Sequence, residues 1–293
     1  MLHVCKDSNL HKQAAFLLCI KERKNVQVLQ AASIELQIYI GVVAFIFGAC
    51  MGSFLNCMAW RIANNESIFR GRSHCDECGK TLQVRDLFPI VSYIINRGKC
   101  RFCGAKLSAG HMVAELVTGA IFVLVLFAYD ISWQALEMLL FACVLLVAAF
   151  TDIKNYTIPN GCIIAGIIIR IPFFFLLPNW QESLIDALLG GFAVGGGLLL
   201  VVLVYEKLRQ IEAMGGGDLK LLFVTGLYLG LSQNILCLFL ACILGIVFGL
   251  VTQKRREHNE NAKIFPWGPS ISAAAILCIL VGSNIIAAYL TLF

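Results

Sequence analysis

The chain has 293 residues, 59% of them apolar and only 14% charged, with a mean hydropathy of +0.81 and a formal net charge of +5. Water-soluble domains carry roughly 25% charged residues, so this composition excludes an ordinary soluble enzyme and makes the lipid bilayer the expected surroundings. No nucleic-acid partner is expected.

In chain order, residues 1–35 form a polar N-terminal segment with five cations, Lys6, Lys12, Lys21, Arg23 and Lys24. The segment lacks an apolar stretch of signal-peptide length and a small-residue cleavage site. It reads either as an accessory segment or as an extension foreign to the native protein, and no role is assigned to it. Apolar runs follow near 36–60, 112–129, 135–150, 161–177, 184–205, 218–231, 235–251 and 268–292. Several approach the ~20 residues that cross ~30 Å of hydrocarbon. The runs at 135–150 and 218–231 are short, each with a charged residue beside it. The expected fold is all-α: a polytopic membrane bundle of about eight transmembrane helices with one small loop domain. The first helix covers 36–60, a polar insert 61–111, and the rest of the bundle 112–293.

Charge orients the bundle. Nine Lys and Arg fall in 61–111, one in 151–160, three in 206–220 and four in 252–267, while 130–134, 178–183 and 232–234 hold none. Cation-rich connections face the cytoplasm, so the insert is expected there and the C-terminus outside. The cations of residues 1–35 run against this orientation.

Within the insert, Cys75-Asp76-Glu77-Cys78 and Cys100-Arg101-Phe102-Cys103 form two C-x2-C pairs 21 residues apart. Four thiolates so spaced suit tetrahedral Zn²⁺ and leave no open coordination position, so the metal is expected to be structural. Arg72, Lys80, Lys99, Arg101 and Lys106 surround the pairs and lower the cost of gathering thiolates. A redox dithiol pair is the competing reading. His74 and His111 read as surface histidines rather than ligands. An insert of this size has little core of its own, and a metal would supply the missing stability. The other nine of the 13 cysteines are scattered, most of them inside apolar runs, so a disulfide framework is not expected.

Two carboxylates stand at one edge of the bundle. Asp152 follows the run ending at Phe150, and Pro159 breaks the chain before the next run. Asp218 follows Gly215, Gly216 and Gly217 and opens the run Leu219–Leu231. The topology puts both at the same depth on the same face. A carboxylate near a span costs several kcal/mol and marks a functional position. Singly, Asp218 reads equally as a helix N-terminal carboxylate and Asp152 as a solvated loop residue. Together, they suggest a pair that shares one proton and divides the roles of acid and base in hydrolysis. The glycines are expected to adopt positive φ and to let an extended peptide lie close by. Lys154 and Lys220 flank the pair, either tuning it or anchoring helices at the headgroups. Glu115 opens a span and either approaches a basic substrate segment or merely satisfies its helix dipole. Arg170, inside a span, snorkels, pairs with Asp186 or Glu182 on the next helix, or has no partner.

These motifs resemble the prepilin peptidases, membrane aspartyl proteases of the G-x-G-D type. The resemblance covers about residues 41–292 and rests on several separated places. They are Gly52-Ser53-Phe54-Leu55-Asn56-Cys57, the zinc loop from Cys75 through Asp86-Leu87-Phe88-Pro89 to Cys103 and Glu115, Thr151-Asp152 with Ile158-Pro159-Asn160, Gly215-Gly216-Gly217-Asp218-Leu219-Lys220, and Phe265-Pro266-Trp267-Gly268-Pro269. The resemblance implies a bacterial inner-membrane endopeptidase, with the loop and the aspartates cytoplasmic. Its substrates would be type IV prepilins or pseudopilins bearing a short basic leader, a glycine before the cut and an apolar helix after it. It also implies methylation of the new N-terminus with S-adenosylmethionine, an activity tied to the four-cysteine loop. Two departures fall in that loop: Asp76 replaces a common proline, and Ser108-Ala109-Gly110-His111-Met112-Val113 replaces a stretch closer to Ser-x-Arg-Tyr-Pro. They bear on the methyltransferase, not the protease. A membrane transporter or metal-handling protein with the aspartates as ion ligands is the alternative. It is opposed by the absence of paired halves. An inert scaffold predicts that neither aspartate matters.

Overall fold

A computed structural model describes residues 28–68, 71, 73–75, 77–176, 180–210, 214–256 and 266–292. Lys6, Lys12, Lys21, Arg23, Lys24, Arg72, Asp76 and Phe265 lie outside the described residues.

Serines start the first three spans, α1 (Ile34–Ala63), α2 (Ala109–Tyr129) and α3 (Trp133–Asn155). The hydroxyls of Ser33, Ser108 and Ser132 accept the backbone N–H groups of Leu36, Gly110 and Ala135 at 3.4, 3.2 and 3.0 Å. Each satisfies a donor that the helix start leaves without a partner. α3 stops at Tyr156, whose left-handed backbone (φ 56°, ψ 30°) returns its N–H to the Asp152 carbonyl. Pro159 then separates α3 from α4 (Asn160–Leu176). α5 (Gln181–Arg209) widens into a π-helical segment at Gly191–Gly196, the glycine-rich stretch of its sequence.

The helical stretch Gly216–Arg256 is two spans, not one. Gly230, at φ 71° and ψ −177°, divides it into α6 (216–229) and α7 (231–256). The Asn234 amide donates to the Leu222 carbonyl at 3.1 Å, and the Thr225 hydroxyl donates to Asn234 Oδ1 at 2.8 Å. Residues twelve apart in a straight helix would lie about 18 Å from each other, so the chain doubles back. Asp186 on α5 accepts the Leu231 N–H at 3.2 Å and so caps α7. With α8 (Gly268–Leu290), six helices among the described residues are long and apolar enough to cross a membrane; adding the shorter α4 and dividing Gly216–Arg256 at Gly230 gives eight apolar helices. The short α6 is paired with α7 through a turn that only glycine fits, because a Cβ on Gly230 would stand 1.9 Å from Asp186 Oδ2.

α3 is the central helix: 67% of its apolar stretch is buried, against 22% in α1. Phe141, Leu145, Leu221, Leu222, Ile271 and Ala274 pack its core, while Ile38, Val42 and Ile46 on α1 and Leu200, Val201 and Val204 on α5 face outward, as a lipid-embedded surface should. Helices approach most closely at small residues. A Cβ on Gly226 would lie 2.4 Å from the Gly190 carbonyl carbon, so α5 and α6 meet backbone to backbone.

Arg170 corrects an expectation. It pairs with neither Asp186 nor Glu182 but with Glu137 on α3, both side chains being buried. Its Nε also donates to the Leu227 carbonyl at 2.9 Å, its Nη2 to Ser183 Oγ at 3.2 Å, and its guanidinium lies 4.3 Å from the Phe174 ring centre. A charge inside a span needs such compensation from several elements at once. Asp186 is committed to the α7 cap.

Candidate functional site

Asp152 lies in the last turn of α3 and Asp218 in the first turn of α6, so two helix termini present the carboxylates at one edge of the bundle. The charge of Asp152 acts on the Asp218 carboxyl. Asp152 is 4% exposed and Asp218 half-buried. The connection after α3 closes over the start of α6. Lys220 Nζ donates to Asn160 Oδ1 at 2.9 Å, and Ile158 lies 3.1 Å from where a Gly217 Cβ would stand.

A third element completes the site. The Gly268 N–H, at the first position of α8, donates to Asp152 Oδ2 at 2.9 Å. A Cβ on Gly268 would lie 2.8 Å from that same oxygen, so only glycine lets α8 come this close. Because Oδ2 accepts this bond, a proton carried by Asp152 sits on Oδ1. The sequence shows the Pro266-Trp267-Gly268-Pro269 turn but not its contact with a residue 116 positions away.

The glycines before Asp218 differ in part from expectation, since none of Gly215, Gly216 and Gly217 has positive φ. They are glycine for space. A Cβ on Gly215 would lie 3.2 Å from Asp218 Oδ2, and one on Gly217 would press on Ile158, whereas Gly216 faces open space. Lys154 donates to Asn56 Oδ1 on α1 at 3.3 Å. That bond fixes the Asn56 amide, so its Nδ2 donates to His111 Nδ1 at 2.7 Å, and a neutral His111 carries its proton on Nε2. His74 and His111 are both exposed, as expected, but His111 belongs to this bridge between α1, α2 and α3. Its place in a stretch that departs from the family pattern hid that role.

The four cysteines come together. The Sγ atoms of Cys75, Cys78, Cys100 and Cys103 all lie within 4.8 Å of one another, with Cys75 and Cys103 at 3.9 Å. A tetrahedral zinc with Zn–S bonds of about 2.3 Å sets sulfurs about 3.8 Å apart, so the thiols fit the ion. Each pair is one tight turn. Gly79 and Gly104 take φ of 66° and 73° directly after the second cysteine and return their N–H groups to the carbonyls of Cys75 and Cys100. The repeated Cys-Gly was the readable signal for these two residues. Backbone N–H groups of Cys103 and Phe102 draw the Cys100 thiol down to about 7, readying it as a thiolate.

Glu115 does not join the aspartates. It is 8% exposed, accepts the Ile90 N–H at 2.7 Å, and lines a cavity of about 190 Å³ between the cysteine turns and α1, a cavity whose walls include neither Asp152 nor Asp218.

Residues 46–129 match the family model described as the bacterial peptidase A24 N-terminal domain, and residues 139–250 match that of the type IV leader peptidase family. Over 253 residues the chain is 33% identical to a prepilin leader peptidase/N-methyltransferase of Bacillus subtilis, covering 85% of this chain and 97% of the relative. A protein of the same description from Myxococcus xanthus is 30% identical over 231 residues, 78% of this chain and 68% of the relative. The corresponding protein of Neisseria gonorrhoeae is 28% identical over 256 residues, with 79% and 87% covered. No solved structure matches the chain.

Proposed function

The chain belongs to the type IV leader peptidase family, and from that premise we propose that it is a multi-pass membrane endopeptidase whose Asp152 and Asp218 cut the leader from prepilin-like precursors. The observation that carries the reading is the meeting of the two carboxylates at helix termini, one buried and pinned by the Gly268 N–H, the other half-open. One aspartate, as carboxylate, takes a proton from water, and the resulting hydroxide attacks the scissile carbonyl. The other donates its proton to the carbonyl oxygen. As the tetrahedral gem-diol collapses, the amine leaves with the proton taken from water, a gem-diol hydroxyl returns its proton to the dyad as the carboxyl group forms, and the pair again shares one proton. Open space at Gly216 leaves room for an extended backbone beside Asp218. The cation-rich connections support a cytoplasmic position for this edge and the cysteine loop.

The relatives' description supports a second step on the same substrate, N-methylation with S-adenosylmethionine. That group, when bound, would supply a methyl cation equivalent for the free amine. The four thiols would hold a structural zinc that shapes the loop. Nothing in the comparisons favours the ion-transport alternative.

The test uses purified protein and a precursor with a basic leader, a glycine and an apolar helix, read by product mass. Wild type should cleave it. Asp152→Asn and Asp218→Asn should each lose at least about 10²-fold, the usual minimum for removing an acid–base group. Cleavage by either variant at the wild-type rate would remove the dyad.

A further inference from the structure

The insert between α1 and α2 turns an apolar side outward. Val91–Ile95 is one helical turn. Leu87, Phe88, Val91, Ile94 and Ile95 are 44%, 58%, 53%, 63% and 73% exposed, while Ser92, Tyr93 and Asn96 of the same stretch line the cavity inside the insert. An element standing in water does the opposite, burying its apolar face and wetting its polar one. Large apolar side chains gathered on so short a stretch mark a surface that meets a partner or a lipid. The depth of the stretch decides which. Lys154, Asn56 and His111 form one hydrogen-bonded bridge where α1, α2 and α3 reach the edge of the bundle. Glu115 lies one helical turn farther along α2, about 6 Å deeper at 1.5 Å per residue. It accepts the Ile90 N–H at 2.7 Å, so the stretch is fastened below the edge of the bundle. Val113, Leu116 and Val117 beside Glu115 are exposed apolar residues of the lipid-facing surface. Ile90 itself takes φ 61° and ψ −51°, a backbone that a β-branched residue adopts only where its surroundings hold it. The Glu115 carboxylate supplies that hold.

We propose that Leu87–Ile95 is a membrane-surface anchor, a re-entrant turn whose apolar face sinks into the headgroup boundary of the leaflet on the insert's side. The apolar helix of a precursor is the competing occupant, and two observations favour lipid. The exposed face continues, through the Ile90–Glu115 bond, into the lipid-facing surface of α2. Arg85 and Arg97, on either side of the stretch, are exposed. Their charge suits anionic headgroups and repels a basic leader. The anchor has a mechanical consequence. The ends of α1 and α2 hold the insert on one side only, and a second attachment to the bilayer fixes its tilt, and with it the height of the cysteine turns above the membrane. The proposal goes beyond the proteolytic reading and needs neither aspartate.

The experiment reads contact with lipid directly. Full-length protein with photoreactive p-benzoylphenylalanine in place of Phe88, or in place of Ile94, is reconstituted in vesicles of phosphatidylethanolamine and phosphatidylglycerol and irradiated. A reference protein carries the same probe in place of Glu77, exposed on the first cysteine turn. Mass spectrometry of the peptides counts phospholipid adducts, and the melting temperature of each sample reports folding. Both test positions are exposed, so the probe disturbs no core, and either one suffices should the other misfold. Phospholipid adducts should be severalfold more abundant at positions 88 and 94 than at 77, and should persist when excess precursor is added. Equal labelling at all three positions, or no phospholipid adduct at 88 and 94, overturns the proposal. Replacement of the lipid adducts by precursor adducts also overturns it, and gives the patch to the substrate. No step of the assay depends on cleavage, so a failure of the protease reading leaves this result standing.

Discussion

Gly268→Ala is the sharpest perturbation of the site, because it changes no charge and removes no hydrogen-bond donor. Gly268 sits at the start of α8 without positive φ, so alanine is conformationally acceptable there, and by itself would favour the helix. Its Cβ, however, would stand 2.8 Å from Asp152 Oδ2 and 3.1 Å from Cγ. Ordinary contact begins at 3.4 Å, so the carboxylate or α8 must move by about 0.6 Å, the difference between 3.4 and 2.8. Catalytic groups tolerate about 0.5 Å of displacement, and a misplacement of about 1 Å costs about 10²-fold. A loss of roughly 10- to 100-fold in kcat is expected, with KM little changed and the melting temperature in detergent within a few degrees of wild type. Gly216→Ala is the companion variant. Its Cβ meets nothing within 4 Å in the free protein, so it should leave kcat alone and raise KM by obstructing the bound peptide. Cleavage kinetics on the same precursor measure both. If Gly268→Ala turns over at the wild-type rate, or loses activity only in proportion to lost folding, the contact between α8 and Asp152 does not set the catalytic geometry.

Two further predictions concern the loop and the bundle. The purified protein should contain one zinc per chain by elemental analysis, and Cys75→Ser or Cys100→Ser should lose it, because each removes one of the four clustered thiols. Retention of the metal by both variants would point to other ligands. Arg170→Met should destabilise the bundle by about 3–5 kcal/mol because it strands Glu137. Arg170→Met with Glu137→Leu should recover part of that loss. Thermal unfolding in detergent measures it, and equal melting temperatures for wild type and the single variant would deny the pair its structural importance.

What the sequence revealed and what it concealed divide along the range of the interactions involved. The eight apolar runs were legible because crossing the bilayer demands a continuous stretch, and the structure reproduces them with ends shifted by a few residues. The C-x2-C pairs were legible because each is one tight turn, closed locally by the glycine that follows the second cysteine. The partner of Arg170 was not. Glu182 and Asp186 are nearer in sequence than Glu137, 33 residues away, and only helix packing places Glu137 alongside. The Gly268 contact with Asp152 and the bridge from Lys154 through Asn56 to His111 were concealed for the same reason. The expectation of positive φ at Gly215–Gly217 failed because glycine serves two purposes, freedom of φ and absence of Cβ, and the sequence does not say which. At Gly230 it serves both.

The clamp by α8 has a physical reason rooted in where the two aspartates stand. Asp218 lies at the N-terminus of α6, where the helix dipole favours an anion, but Asp152 lies at the C-terminus of α3, where an anion meets the negative end. That mismatch costs about 0.3–1 kcal/mol for an exposed group and more for a buried one. Asp152 is the more buried of the pair. The N-terminus of α8 offsets the mismatch by bringing a backbone N–H and the positive end of a third dipole against Oδ2. A dyad drawn from a helix start and a helix end thus needs a second helix start to be electrostatically balanced. The Gly268-Pro269 pair fits that duty: glycine allows the approach, and proline at the next position has no N–H to leave unsatisfied.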